Sequence, residues 1–387
     1  MADMAEAAET GPGTGADTGP DTGRTPWFLI AALYVAGLIA AGQFAKISLT
    51  LTPLQAAYPD APVAFAVSGV AVTGILFGVL AGGLVARLGT RRAVLWGLAG
   101  SALAGGAQAL LPAFPVLMGL RVAEGAGHLL LVVAIPTMMA GLSTDRDRPL
   151  VMGLWATFFG VGFAMAAVLI GDGLAPVYAG HAALAAGVGV ILWRALPRIP
   201  VAPAAPPRLA DHLVIYTTPR LFAPGLGHGL YATLFLALVT FLPPLFGSPW
   251  LSPVLPLAGL AGSLLAGPLM RRLPPGRLVG GGFMALACAF GLVWMAGDAG
   301  AYLAIPAMAL SGVVAAAGFA AVPWLNPTMA DRARANGAMA QLGNVGTFSG
   351  TPVIAAAGAA ALLPITIALC VFAALLTGLA YRAASRR

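Results

Sequence analysis

From Trp27 onward the chain is a succession of long apolar runs separated by short polar breaks. A helix that crosses a bilayer core needs about 20 mostly apolar residues. Twelve runs reach that length, at about 26–52, 64–86, 93–112, 115–141, 150–171, 175–196, 221–247, 250–270, 278–297, 300–325, 337–360 and 361–381. The last two join without a polar loop; Gly358 and Pro364 bracket the predicted turn between them. In lipid, only helices and closed barrels satisfy every backbone group. These runs are too long and too uniformly apolar for barrel strands, so the pattern predicts an all-α membrane protein of twelve transmembrane helices.

Composition agrees. Only 9% of the 387 residues are charged and 59% are hydrophobic, with a mean hydropathy of +0.91. Soluble domains carry about 25% charge; this chain could not cover a water-facing surface. The two cysteines, Cys288 and Cys370, sit inside apolar runs and make neither a disulfide framework nor a ligand cluster. No phosphate-binding Walker loop, zinc ligand set or Ser/His/Asp arrangement occurs, so the sequence points to neither an enzyme nor an ATP-driven pump, and to no cofactor or metal.

The charges fall on one side. With both termini placed inside, the inner segments hold 18 of the 20 Lys and Arg residues and the outer loops none; only Asp60, Asp172 and Asp298 lie outside. Such a bias sets the orientation of a membrane chain. It predicts cytoplasmic termini in a plasma membrane (the bacterial inner membrane), and it accounts for the net charge of +7 without a nucleic-acid partner. Residues 1–25 are acidic, low in complexity and read as a disordered tail. The longest inner connection, the Pro-rich 198–219, falls near the midpoint and suggests an N-terminal six-helix bundle over 26–197 and a C-terminal one over 220–382. "PTMMA" at 136–140 and "PTMA" at 327–330, 191 positions apart, echo one another, as parallel repeats in transporters do.

The remaining two cations, Lys46 and Arg121, lie inside the membrane. "LRVAEGAGHLLLVV", residues 120–133, puts Arg121, Glu124 and His128 on one helical face. Helix rise places Lys46, Arg121 and Glu124 at similar depth. An Arg121–Glu124 pair could neutralise itself and only fix packing, but Lys46 would then be left unpaired, which favours a functional role and an anionic visitor. Glu124 and His128 are candidate proton carriers. His228 lies in "GLGHGLY", where Gly225, Gly227 and Gly229 suggest a loosened helix, with Tyr231 on the same face. His181 is a marginal case near an outer helix end. Gln341, Asn344, Thr347 and Thr351 form a polar stripe, read chiefly as helix–helix hydrogen bonding. Trp324 and Asn326 could close an inner gate, or anchor and cap a helix.

The loop "GGLVARLGTRR", residues 82–92, resembles the signature G-x-x-x-D-R-x-G-R-R of the major facilitator superfamily. Gly82, Arg87, Gly89, Arg91 and Arg92 follow the pattern, while Ala86 stands where the signature has Asp and Thr90 where it has Arg. Arg121, Glu124, Gly125 and Gly127 are similar to a family motif of the fourth span, R-x-x-Q-G-x-G. The 136–164 region is loosely similar to the cyanate and nitroimidazole permease group. The resemblance implies two six-helix bundles rocking about a central cavity lined by spans 1, 4, 7 and 10, where Lys46, Arg121, Glu124, His128 and His228 fall, and a gating role for the 82–92 loop, weakened by Ala86. It implies a monomeric secondary transporter. The residues add a small, anionic organic solute bound through Lys46, Arg121, His128, His228 and Tyr231, and a proton as coupling ion through Glu124 and His128. The alternatives are a drug/proton exporter of the same fold, and a sensor or assembly factor that no longer transports. The face bearing Arg121, Glu124 and His128 is expected to look into a water-filled path.

Overall fold

The computed structural model describes residues 24–144, 146–198 and 210–385; the expected tail, apart from its last two residues, and half of the expected linker, 199–209, lie outside them. Sixteen α-helices make up the described chain: α1 Trp27–Leu49, α2 Leu51–Ala57, α3 Ala64–Ser68, α4 Ala71–Leu88, α5 Thr90–Gln108, α6 Phe114–Leu142, α7 Arg148–Ala156, α8 Phe158–Leu169, α9 Leu174–Ala195, α10 Ala210–Thr217, α11 Pro219–Leu245, α12 Leu251–Met270, α13 Pro275–Met295, α14 Gly300–Leu325, α15 Met329–Ala357 and α16 Leu362–Ser385. Each of the twelve apolar runs contains one of these helices or a broken pair. Nine, or ten if α7 and α8 form one span bent by 49°, are long and apolar enough to cross a membrane. The other two, α5 and α15, have the length but carry arginines or a polar stripe. The turn between α15 and α16 starts at Gly358, whose φ of 87° favours glycine.

Three elements depart from the simple reading. The fifth span breaks at Thr157. Its hydroxyl is bound to the Leu154 carbonyl at 2.7 Å and meets the Tyr34 hydroxyl at 2.7 Å, and a side chain inserted into the ladder of a helix bends it. The second span is interrupted at Gly69–Val70, between α3 and α4. The linker carries the short helix α10 at its end.

Helices α1 to α9 pack mainly on one another, as do α11 to α16, and the halves meet along α4–α15, α3–α15 and α8–α12. The α4–α15 seam uses the polar stripe: Gln341 donates to the Ile75 carbonyl at 2.6 Å and Asn344 sits over Gly74. Within the second half, the expected loosening around His228 is absent. Helix α11 is continuous from Pro219 to Leu245, and its glycines serve close packing. A Cβ on Gly346 of α15 would lie 1.9 Å from the Gly229 carbonyl oxygen, a backbone atom that cannot swing aside. Gly346→Ala is therefore expected to destabilise the protein by about 1–3 kcal/mol through overpacking. Thermal unfolding in detergent checks this, with Gly281→Ala, where the added methyl meets open space, as the near-neutral comparison.

At one end of the molecule α1 and α11 touch: the buried hydroxyls of Ser48 and Thr240 lie 2.6 Å apart. These positions are 192 residues apart, close to the offset of the sequence echo. At the opposite end the start of α11 and the ends of α14 and α16 line one pocket of about 580 Å³, with Arg220, Trp324 and Ser385 on its wall. Trp324 is half exposed and Asn326 fully buried. Asn326 donates to the Val322 and Arg220 carbonyls at 3.0 Å each, so it caps α14 and ties it to α11. The 82–92 stretch, expected as a loop, is helical at both ends: 82–88 finish α4, 90–92 begin α5, and only Gly89, with φ 81°, turns the chain between them. Arg91 donates to the Trp193 and Leu196 carbonyls at 2.7 and 3.2 Å, pinning α5 to the end of α9.

Candidate functional site

The break in the second span shows where Arg121 goes. Interrupting a helix removes backbone donors from the preceding carbonyls, and Arg121 supplies replacements. Its Nε donates to the Ala66 carbonyl at 2.7 Å. Its Nη2 donates to the Val67 carbonyl at 3.3 Å and to the Gln43 carbonyl of α1 at 2.9 Å. Its Nη1 is hydrogen-bonded to Oε2 of Glu124, three residues on. Helix α6 comes close enough for this because Gly125 lies against the Val70 carbonyl, 2.2 Å from where a Cβ would stand.

Glu124 is held from three sides. Lys46 of α1 donates to Oε1 at 2.7 Å. Gln108, the last residue of α5, donates to Oε2 at 2.8 Å, the oxygen that also takes Arg121. Lys46 is 1% exposed; Arg121, Glu124, Gln43 and Gln108 are not exposed at all. Two expectations are corrected here. Lys46 is not unpaired: it shares Glu124 with Arg121, so the two cations and one anion form a single buried group of formal charge +1. Nor do Arg121 and Glu124 look into a water-filled path in this conformation; they are enclosed by α1, α3, α5 and α6. The reason is that every arm of the guanidinium finds a partner within the first half of the chain.

Gln43 links this group to His128. Its backbone carbonyl accepts from Arg121, its Nε2 donates to Ser101 at 2.6 Å, and its Oε1 lies 2.8 Å from His128 Nδ1. Because the Ser101 hydroxyl donates to the Gly97 carbonyl, it must accept from Gln43. This fixes the amide orientation and puts the proton of a neutral His128 on Nδ1.

From His128 a chain of rings crosses the molecule. His128 meets Phe44 edge-on at 5.1 Å, and Phe44 meets Phe159 at 5.9 Å. Phe159 meets Phe235 of the second half at 6.0 Å, and Phe235 meets Tyr231 at 5.4 Å. Tyr231 stacks on His228 at 5.9 Å, and His228 meets Phe319 at 4.9 Å. His128, Phe159, His228 and Tyr231 are partly exposed, and Phe319 is half exposed. The sequence expectation had grouped Lys46, Arg121, His128, His228 and Tyr231. The structure joins Lys46 to Arg121 through Glu124 and Arg121 to His128 through Gln43, and places the last two across the ring chain.

The offset of 191 relates two pairs of rings in this chain, while Phe159, Tyr231 and His228 have no ring at the equivalent position. Phe44 corresponds to Phe235 and His128 to Phe319. The charged group has no such counterpart: Lys46, Arg121 and Glu124 correspond to Ala237, Gly312 and Ala315. The rings thus belong to both halves and the charges to one. Sequence reading overlooked Gln43, Gln108, Phe44, Phe159 and Phe235. The two amides carried a usable signal, since Gln43 precedes Lys46 by three residues and so shares its helical face; the phenylalanines carried none, being indistinguishable from lipid-facing residues.

The family model described as Major Facilitator Superfamily matches residues 27–355. The methylenomycin A resistance protein of Streptomyces coelicolor (strain ATCC BAA-471 / A3(2) / M145) is 30% identical over 148 residues, which are 37% of this chain and 30% of that protein. The match therefore spans less than a third of that relative's length. Among solved structures, a bacterial homologue of the human lysosomal transporter Spinster, inward-facing and occupied, has a TM-score of 0.69 at 14% identity, over 92% of this chain and 97% of the other. The xylose transporter from E. coli in an inward-open conformation has a TM-score of 0.70 at 14% identity, over 91% and 95%. At these identities the likeness is one of fold.

Proposed function

The chain belongs to the Major Facilitator Superfamily and is a multi-pass membrane transporter, and from that premise we propose that it moves a small organic solute by alternating access, driven by protons through Glu124. The observation that carries this reading is the double role of Gln43. Its backbone holds Arg121 and its side chain holds His128, so a change at the buried charges is felt at the start of the ring chain between the halves.

The physics supplies a switch. Lys46 and Arg121 both rest on Glu124. A proton on Glu124 would leave two buried cations without a counter-charge, an arrangement of high energy. Proton loading therefore belongs to a different arrangement, in which one cation has withdrawn. The conformation described here is the unloaded one. The Ser48–Thr240 contact between α1 and α11 closes one end, which the charge bias assigns to the outside; the end exposing Phe319 and Trp324 faces the cytoplasm.

The solute is the finer part of the proposal. An anion was expected because Lys46 was read as unpaired, and its pairing with Glu124 weakens that argument. The surface between the halves offers rings, which suit a mostly apolar organic solute with an unsaturated or aromatic portion. That favours the exporter reading, and the similarity to a methylenomycin A resistance protein supports it. An anionic solute is the second reading, favoured by the residual charge of +1.

Flux into proteoliposomes under an imposed pH gradient tests both, with radiolabelled benzamide and benzoate as a neutral and an anionic version of one ring. Acceleration of benzamide alone supports the first reading, and of benzoate alone the second. If neither moves, and cells carrying the protein gain no resistance to methylenomycin A or other small antibiotics, both readings of the solute fail. Phe159→Ala and Phe235→Ala are expected to raise the apparent KM of a transported solute roughly tenfold, the worth of one lost ring contact with its buried area. The control Leu264→Ala, at an exposed leucine of α12, leaves it unchanged.

A further inference from the structure

We infer that His181 is a second proton-binding site, the group through which protons reach Glu124 from the end of the molecule closed by Ser48 and Thr240. The inference rests on the coupling role proposed for Glu124 and adds a path to it. His181 lies on α9, and its Nε2 sits 2.9 Å from the Ile39 carbonyl of α1. A carbonyl only accepts, so Nε2 carries the hydrogen and Nδ1 of the neutral ring is a bare acceptor. That Nδ1 is buried and has no hydrogen-bond partner. It lies 4.0 Å from Oε1 of Glu124, the oxygen bound by Lys46.

An unpartnered acceptor in a dry interior is costly, and here it is not alone. Oε1 of Gln108, on the other side of Glu124, is likewise buried and unpartnered. Two bare acceptors therefore flank one carboxylate within a group that already holds two cations. Both are placed to receive a proton or a protonated water. Gly105 keeps the space open: a Cβ there would come within 3.5 Å of Lys46 Nζ and 3.4 Å of the Ala182 side chain.

The groups facing His181 define what its protonation does. From α6 come Glu124 and Arg121, from α1 comes Lys46, from α5 the uncharged Gln108, and Tyr178 precedes it by three residues on α9. Of these groups, Glu124 alone carries a negative charge. In the transfer step the Nδ1–H bond of imidazolium His181 breaks and an O–H bond forms on Glu124, directly or across one water that spans the 4.0 Å. His181 returns to its neutral Nε2–H form and Glu124 becomes a neutral acid, in the loaded arrangement in which one of the two cations has withdrawn. Tyr178 extends the polar path away from Glu124, toward the start of α9. Its hydroxyl lies 3.3 Å from Thr50 Oγ1, and its ring lies 5.6 Å from Lys46 Nζ.

The test uses the full-length protein in detergent and the proton as the only ligand. A rapid drop in pH, read by a soluble pH dye, gives the rate and amount of proton uptake. His181→Gln, whose amide nitrogen can keep the Ile39 bond, is expected to slow the Glu124-dependent phase by roughly tenfold or more while sparing its amplitude. Glu124→Gln removes the amplitude of that phase. A wild-type rate in His181→Gln overturns the path and leaves the role of Glu124 standing. An unchanged amplitude in Glu124→Gln overturns the coupling reading itself. Should His181→Gln fold poorly, nitrogen-15 NMR of histidine-labelled wild-type protein decides independently. His181 is expected as the Nε2–H tautomer, with a doubly protonated fraction under acid conditions that is severalfold lower in Glu124→Gln. The opposite tautomer, or indifference to Glu124, removes the inference.

Discussion

Glu124→Gln is expected to end accumulation driven by a pH gradient while exchange of solute across the membrane continues. Glutamine copies the shape of the protonated acid and cannot change charge. The variant leaves Lys46 and Arg121 facing a neutral amide, so the buried group goes from a formal charge of +1 to +2. Removing one partner from a buried ion pair commonly costs about 3–5 kcal/mol, so lower stability is also expected. The pairing of Lys46 with Glu124 provides the control. Lys46→Met combined with Glu124→Gln restores the charge to +1, and it is expected to regain most of the lost stability without regaining gradient-driven transport. Unfolding temperature and proteoliposome flux of both single variants and the double variant measure the two effects separately. If the single Glu124→Gln variant accumulates solute as the wild type does, Glu124 is structural. If the double variant is no more stable than the single one, Lys46 and Glu124 are not energetically coupled.

Arg121→Ala is expected to be more damaging than its loss of charge suggests. The guanidinium bonds Glu124 and the backbone carbonyls of Ala66, Val67 and Gln43. Each orphaned buried group costs about 1–3 kcal/mol. The cost comes on top of a carboxylate that keeps Lys46 and Gln108 but loses its closest partner. The break in the second span would lose its hydrogen-bond donors, and Gln43 would lose the tie that relates it to the charges. Transport is expected to vanish, with a markedly lower unfolding temperature. Arg121→Lys should rescue little, because one ammonium cannot reach carbonyls on α1 and α3 and a carboxylate on α6 together. Wild-type flux in Arg121→Lys would show that charge alone matters at this position.

The sequence reached far into this fold because the bilayer leaves few choices. Length and apolarity decide that a run crosses as a helix, and all twelve predicted runs contain helix. The same economy made Lys46, Arg121 and Glu124 visible: ionisable residues are too expensive in lipid to be incidental. Their common depth followed from helix rise. Their pairing did not follow, because it depends on helix rotation and on the interruption at Gly69–Val70. That break turned Arg121 toward backbone carbonyls and left Glu124 for Lys46 to share. The polar stripe on α15 was read correctly as packing because Gln341 and Asn344 have no charge to justify a solute. The loosened helix at His228 was misread because glycine marks flexibility and close packing alike, and only the neighbouring helix, α15, distinguishes them.

By itself, then, the sequence determined that the chain is all-helical, where its apolar helices fall and in what order, and the few positions where charge enters the apolar interior. Those follow from one-dimensional quantities: run length and charge position. Tertiary structure alone decided that the three charges form one closed group, that Gln43 connects it to His128, and that rings from both halves meet at Phe159 and Phe235. Such contacts depend on rotation of each helix about its own axis. In a chain that is apolar on nearly every face, no hydrophobic periodicity records that rotation, and only the packing of neighbouring helices sets it.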